Sequence, residues 1–137
     1  MKRLLAVLML PILAGLSTAA GKPVEPAPVK IEQADKLIAD GIQLLDVRTK
    51  EEWDEGCLKG TKCISIGDKD FVKKATAELD PKKPVLVYCH IGGRSARAVK
   101  QLRAAGFTTV YDLAGGITAW KKADKPVEKP VEKPERK

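Results

Sequence analysis

At 137 residues, with 44% hydrophobic and 31% charged side chains, the chain suits one globular domain plus appendages and is too short for two ordinary domains. Aromatic residues contribute only 4%, so the core has to be built from Val, Ile, Leu and Ala, which favours layered α/β packing over an aromatic-rich sandwich. The formal charge of +7 overstates the basicity of the working part: Lys2 and Arg3 lie in the leader, and the final lysines alternate with glutamate and proline without the stacking aromatics of a nucleic-acid site, which excludes that function.

Met1-Lys2-Arg3, the mostly apolar run Leu4 to Leu16 and the small residues Ser17-Thr18-Ala19-Ala20 have the three parts of a secretory signal. The run is shorter than the roughly 20 residues that span a bilayer, and Pro11 and Gly15 interrupt it. The reading is therefore a signal peptide over residues 1–20, an exported mature protein, most simply in a bacterial periplasm, and no stable membrane insertion after cleavage. A Pro-rich linker over 21–28 contains Lys22-Pro23-Val24-Glu25, and the same unit recurs in residues 123–137, which read as a disordered Lys/Pro/Glu tail.

Between these flanks, residues 29–122 alternate strand and helix signals. Val29-Lys30-Ile31 reads as a short strand, Glu32 to Asp40 as a helix stopped by Gly41, and Ile42 to Val47 as a buried strand. Glu51 to Glu55 is a short helical turn carrying Trp53. Cys63 to Ile66 alternates at strand period, and Asp70 to Leu79 at helix period before Asp80-Pro81. Val85-Leu86-Val87-Tyr88 is the most continuous apolar run outside the leader. Ser95 to Ala105 predicts a helix ended by Gly106, and Thr109 to Asp112 a last strand that leads through Ala114-Gly115-Gly116 into a short helix ending at Trp120. Such alternation implies a parallel sheet covered on both faces.

Chemistry in an open parallel sheet gathers beyond the carboxyl ends of its strands, and Cys89 stands just past the most buried of them. Gly92 and Gly93 let the chain turn its N–H groups toward one point, and a helix beginning near Ser95 adds the positive end of its dipole there. This cradle suits a thiolate nucleophile and an anionic substrate. A strand-end core cysteine followed by a Gly-rich turn would explain the glycines, but not the arginine after them.

Cys89-x-x-Gly92-x-Arg94 resembles the active-site loop of the rhodanese family of sulfurtransferases. Leu45-Asp46-Val47-Arg48 with Glu51-Glu52-Trp53 and Gly56-x-Leu58-x-Gly60 resembles that family's upstream signature, and Leu113-x-Gly115-Gly116-x-x-x-Trp120 its downstream one, so the likeness runs from about Val29 to Lys122. It implies a rhodanese-like three-layer α/β fold: a five-stranded parallel sheet, ordered 1-5-4-2-3, with helices on both faces. It also implies a thiosulfate sulfurtransferase-like enzyme without a cofactor. Cys89 would take a sulfane sulfur from thiosulfate or a persulfide and pass it to cyanide or a thiol. His90, Ile91, Gly92, Gly93 and Arg94 would bind substrate, with Arg94 adding charge at the mouth, and Asp46 and Arg48 would form a supporting, partly buried ion pair.

Two other readings use the same parts. Protein tyrosine phosphatases enclose five residues between cysteine and arginine, whereas Cys89 and Arg94 enclose four, a smaller ring that the resemblance fits to sulfur. Alternatively, Cys89 relays a persulfide between exported partners without turnover. His90, the only histidine, is read as lining the loop, and Trp53 and Trp120 as packing.

Cys57 and Cys63 depart from the family pattern, which has histidine at the first position and a polar residue at the second. Six positions apart across Gly60 and in an oxidising compartment, they could form a disulfide pinning the loop to the third strand. A metal site joining them to Cys89 and His90 lacks the usual ligand spacing and would block the nucleophile, so no metal is assigned.

Overall fold

The computed structural model describes residues 27–131. The signal peptide read at 1–20, most of the linker and the last residues of the tail lie outside the described residues. Nine elements follow in order: α1 (Ile31–Ala39), β1 (Gln43–Asp46), α2 (Lys50–Asp54), β2 (Lys62–Cys63), α3 (Phe71–Glu78), β3 (Val85–Tyr88), α4 (Gly93–Ala104), β4 (Val110–Asp112) and α5 (Gly116–Lys122). All strand pairs are parallel, in the order β2-β1-β3-β4.

Side chains alternate across a strand, and here the alternation separates two cores. Leu45, Val47, Val85, Val87 and Val110 join Phe71, Ala75, Ala98, Val99 and Leu102 on the face covered by α3 and α4. Leu44, Leu86 and Tyr88 join Val29, Ala34, Leu113, Ile117 and Trp120 on the face covered by α1 and α5. This is the three-layer architecture inferred from the sequence. β3 is buried along its whole length, as its unbroken apolar run requires.

Two strands are shorter than expected. The sheet has four strands instead of five, because the first is reduced to a single bridge in which Val29 pairs with Leu113 beside β4. Pro28 has no N–H to extend a ladder backward, and Ile31 already belongs to α1. Counting that bridge as the first position, the expected order 1-5-4-2-3 is retained. The strand expected over 63–66 pairs only at Lys62–Cys63. Ile64 and Ile66 still donate N–H bonds to Asp46 and Val47, but Asp68 N–H turns back onto the Ser65 carbonyl and Gly67 N–H bonds the Ser65 hydroxyl, bending the chain away.

The reading of a disordered tail from residue 123 is corrected for its first part. Trp120 Nε1–H donates to the Pro126 carbonyl at 2.9 Å, Lys125 Nζ reaches Asp35 at 2.5 Å, and Glu128 exchanges backbone hydrogen bonds with Cys57 at 2.7 and 2.8 Å. Residues 125–128 thus form a strap from α5 back to the loop after α2. Lys-Pro-Val-Glu has little to bury by composition, but the strap uses its carbonyls, which composition does not register. Among the described residues no helix is long and apolar enough to cross a membrane.

The carboxylate at the end of β1 ties the layers together. Asp46, fully buried, receives Arg48 Nε at 3.0 Å on both oxygens, Arg48 Nη2 at 2.7 Å and the Arg48 backbone N–H at 3.0 Å. Arg48 Nη2 also donates to the Gly56 carbonyl at 2.7 Å and its guanidinium faces the Tyr88 ring, 5.9 Å from the centroid. Burial opposes the charge on Arg48, yet the Asp46 bonds outweigh it and leave the guanidinium raised above its ordinary value. The sequence reading had this pair only partly buried. Asp46→Ala should cost roughly 3–5 kcal/mol in urea unfolding, since it strands a buried cation. The double variant Asp46→Leu/Arg48→Met should recover part of that loss.

Candidate active site

Cys89 follows β3 directly, and its side chain is 1% exposed. Gly92, at φ +132°, takes a conformation that side chains resist, so the loop doubles back and Gly92 N–H donates to Cys89 Sγ at 3.1 Å. α4 then starts at Gly93, two residues earlier than its apolar periodicity indicated. Ser95, fully buried in its first turn, accepts the Cys89 thiol at 3.4 Å and donates its hydroxyl to the Gly92 carbonyl at 3.0 Å. The sulfur is therefore held between a backbone donor and a hydroxyl at the head of a twelve-residue helix.

The loop rests on the start of α5. Ile117 N–H donates to the Cys89 carbonyl at 2.9 Å and Thr118 N–H to the His90 carbonyl at 3.1 Å. A Cβ on Gly116 would sit 2.5 Å from the His90 oxygen and 2.6 Å from the Cys89 oxygen, and φ is +58° there. Only glycine fits that approach. Gly115 is a turn glycine at φ +73°, and Gly116, which opens α5, is the seat of the Cys89 loop.

The predicted site residues divide. Cys89 and Gly92 come together at the sulfur. Gly93 opens the helix, and His90 and Ile91 present exposed side chains, Ile91 at 67%. His90 serves the loop through its carbonyl. Arg94 was read as adding charge at the mouth, and its guanidinium grips Glu52 through two 2.7 Å bonds. Glu52 also accepts Thr49 N–H at 3.0 Å at the start of α2, and the Arg94 bonds hold its carboxyl down to about 2. The same bonds raise Arg94.

Glu52 lies within a recognised motif, yet sequence reasoning gave it no partner, because forty-two positions separate it from Arg94. Ser95 was seen only as a helix start. Asp112, at the end of β4, is a second group that the sequence left unassigned: burial raises its carboxyl, the neighbouring Ser95 hydroxyl works against that rise, and its Oδ1 is buried without a hydrogen-bond partner. Trp120 packs in the core facing α1 and α5, whereas Trp53 lines a cavity of about 690 Å³ shared with Cys57 and Cys63. Those two cysteines are free thiols here. Among the described residues no group of three or more His, Cys, Asp or Glu is placed to hold a metal ion.

The rhodanese-like domain family matches residues 30–123, which spans every element from α1 to α5. The chain belongs to that family. It is 31% identical over 121 residues to thiosulfate sulfurtransferase 18 of Arabidopsis thaliana, covering 80% of this chain and 89% of the relative. The solution structure of a rhodanese-like domain from Anabaena sp. matches with a TM-score of 0.68 at 29% identity, over 81% of this chain and 84% of that one. A Rhodopseudomonas palustris protein of unknown function, described as a possible tyrosine phosphatase, matches with a TM-score of 0.62 at 27% identity, over 74% and 83% of the two chains.

Gly116→Ala should destabilise the domain by about 1–3 kcal/mol, as overpacking against fixed backbone does, and should alter the alkylation rate of Cys89 with iodoacetamide. The Glu52–Arg94 pair gives a pH signature. Its carboxyl is lowered from 4.5 to about 2 by folding, so the pair's contribution is complete above 4.5 and lost as pH falls toward 2. In urea titrations, the stability gap between wild type and Glu52→Gln should therefore be widest above 4.5 and close on acidification.

Proposed function

We propose that the protein is a sulfurtransferase that carries a sulfane sulfur on Cys89, from thiosulfate or a persulfide to a thiol or cyanide. One observation carries the reading: the Cys89 sulfur sits at the head of a parallel sheet and of α4, with the Gly92 N–H on it at 3.1 Å and the Ser95 hydroxyl at 3.4 Å. Its chemistry is that of a sulfur nucleophile beside a backbone donor. The name of the Arabidopsis relative supports thiosulfate as a donor.

In the first half-reaction, the Cys89 sulfur attacks the outer sulfur of thiosulfate, the S–S bond breaks, and sulfite leaves with the bonding pair. The thiol proton ends on the persulfide or the departing sulfite. In the second, the acceptor attacks the outer sulfur of the persulfide and Cys89 leaves as thiolate. Gly92 N–H and the helix dipole stabilise negative charge on sulfur in both halves. Because Arg94 is paired with Glu52, its role is to hold α2 against the start of α4.

Phosphate-ester hydrolysis is the rival, suggested by the Rhodopseudomonas neighbour. The four residues between Cys89 and Arg94 and the engagement of Arg94 by Glu52 favour sulfur, since phosphate needs a wider ring of donors and an arginine free to grip it. For location we propose export, on the support of the leader at 1–20. Mature protein treated with thiosulfate should gain the mass of one sulfur atom at Cys89, released by cyanide and missing in Cys89→Ser. Faster release of phosphate from an aryl phosphate than of thiocyanate from thiosulfate and cyanide would overturn the assignment.

A further inference from the structure

We propose that Cys57 and Cys63 form a redox couple separate from Cys89, and that their disulfide locks the loop on which the C-terminal strap is seated. Each thiol lies close enough to shift the other's ionisation, and both open onto the 690 Å³ cavity together with Trp53, Lys62 and Glu128. Cys57 is buried and Cys63 half-exposed, so a reagent entering the cavity meets Cys63 first. Cys89 has its own partners, Gly92 and Ser95.

The backbone holds both cysteines in place. Cys63 is paired with Asp46 in the β2–β1 ladder. Cys57 is fixed by its two main-chain bonds to Glu128, by the Arg48 bond to the preceding Gly56 carbonyl, and by the Leu58 N–H bond to the Tyr88 hydroxyl at 3.0 Å. Between them Gly60, at φ +77°, makes the turn that returns the chain. The proposed bond, about 2 Å long, is made between side chains that already line one cavity.

The surroundings favour the oxidised form once it is made. Burial and the Asp46 carboxylate push both thiols up, Cys63 to about 12, so the reduced couple gains nothing as thiolate. Thiol couples that oxidise others depend on the opposite condition, a stabilised thiolate. The oxidant we assign is a small-molecule disulfide. Cys63 sulfur attacks it, its S–S bond breaks, and one half leaves as a thiol with the Cys63 proton. Cys57 sulfur then attacks the mixed disulfide at Cys63, the Cys57–Cys63 bond forms, and the second half leaves as a thiol with the Cys57 proton. The bond from Cys57 Sγ to the Glu128 carbonyl, 3.3 Å in the thiol form, is lost, while the backbone pairing with Glu128 stays and becomes covalently tied to β2.

Folded full-length protein is incubated with oxidised glutathione, denatured, alkylated and cut at lysine. Lys59 and Lys62 lie between the cysteines, so a bridge appears as two peptides joined through sulfur. The joined pair should form in wild type and be missing in Cys57→Ser and in Cys63→Ser. The bridged wild type should melt several degrees above its dithiothreitol-reduced form. Separate glutathione adducts on Cys57 and Cys63, alkylation of both, or a bridge from either to Cys89 would overturn the proposal.

Discussion

The close approach of the Cys89–His90 backbone to Gly116 is the constraint on which the site depends. Two carbonyls face a position where any β-carbon would lie within 2.6 Å, and two N–H groups from the first turn of α5 take up those carbonyls. The loop after β3 thus has a floor, and its Gly92 N–H points toward the sulfur instead of down into the fold. Without that floor Gly92 would still be free to turn, but nothing would decide which way. The glycine at φ +132° and the glycine that admits the carbonyls therefore act as a pair from the heads of two different helices.

Two ion pairs divide the remaining work by depth. Asp46–Arg48 is buried, hydrogen-bonded on both sides and linked to the Gly56 carbonyl, so its worth lies in geometry: it fixes the end of β1 and the start of the loop beyond α2. Glu52–Arg94 lies nearer the surface and joins α2 to the head of α4. Between them the elements around Cys89 are held by charge–charge contacts, while the two apolar cores hold the sheet. The active loop can then carry exposed His90 and Ile91 without loosening the fold beneath.

The strap ties these regions to the far end of the chain. Val127 packs over Gly56, Glu128 pairs with Cys57, and Lys125 and Pro126 are gripped by Asp35 and Trp120. The loop holding Cys57 is consequently bound on three sides, by Arg48, by Tyr88 through Leu58, and by the strap. Cys57, where the family resemblance leads one to look for histidine, lies buried at that junction with its Sγ 3.3 Å from the Glu128 carbonyl.

Much of the architecture was legible in the chain because it rests on local rules. The apolar run of β3, the helical period of α4, the Gly stops after α1 and α4, and the Cys89-x-x-Gly92-x-Arg94 loop each fall within a dozen residues, where periodicity and turn chemistry operate. The ordered motifs then named the family and singled out Cys89. What could not be read locally were the contacts that depend on distant segments meeting: Glu52 on Arg94, Gly116 under His90, Ser95 beside Asp112, and a Lys/Pro/Glu segment that composition described as free but that packs onto Trp120 and Cys57. The first strand failed for the same reason, since whether Val29 pairs depends on where β4 ends. Local sequence specifies which way a segment prefers to bend and which groups it offers. Only the packing of the layers decides which offered donor, carbonyl or charge finds a partner, because that is settled by proximity and burial and not by order along the chain.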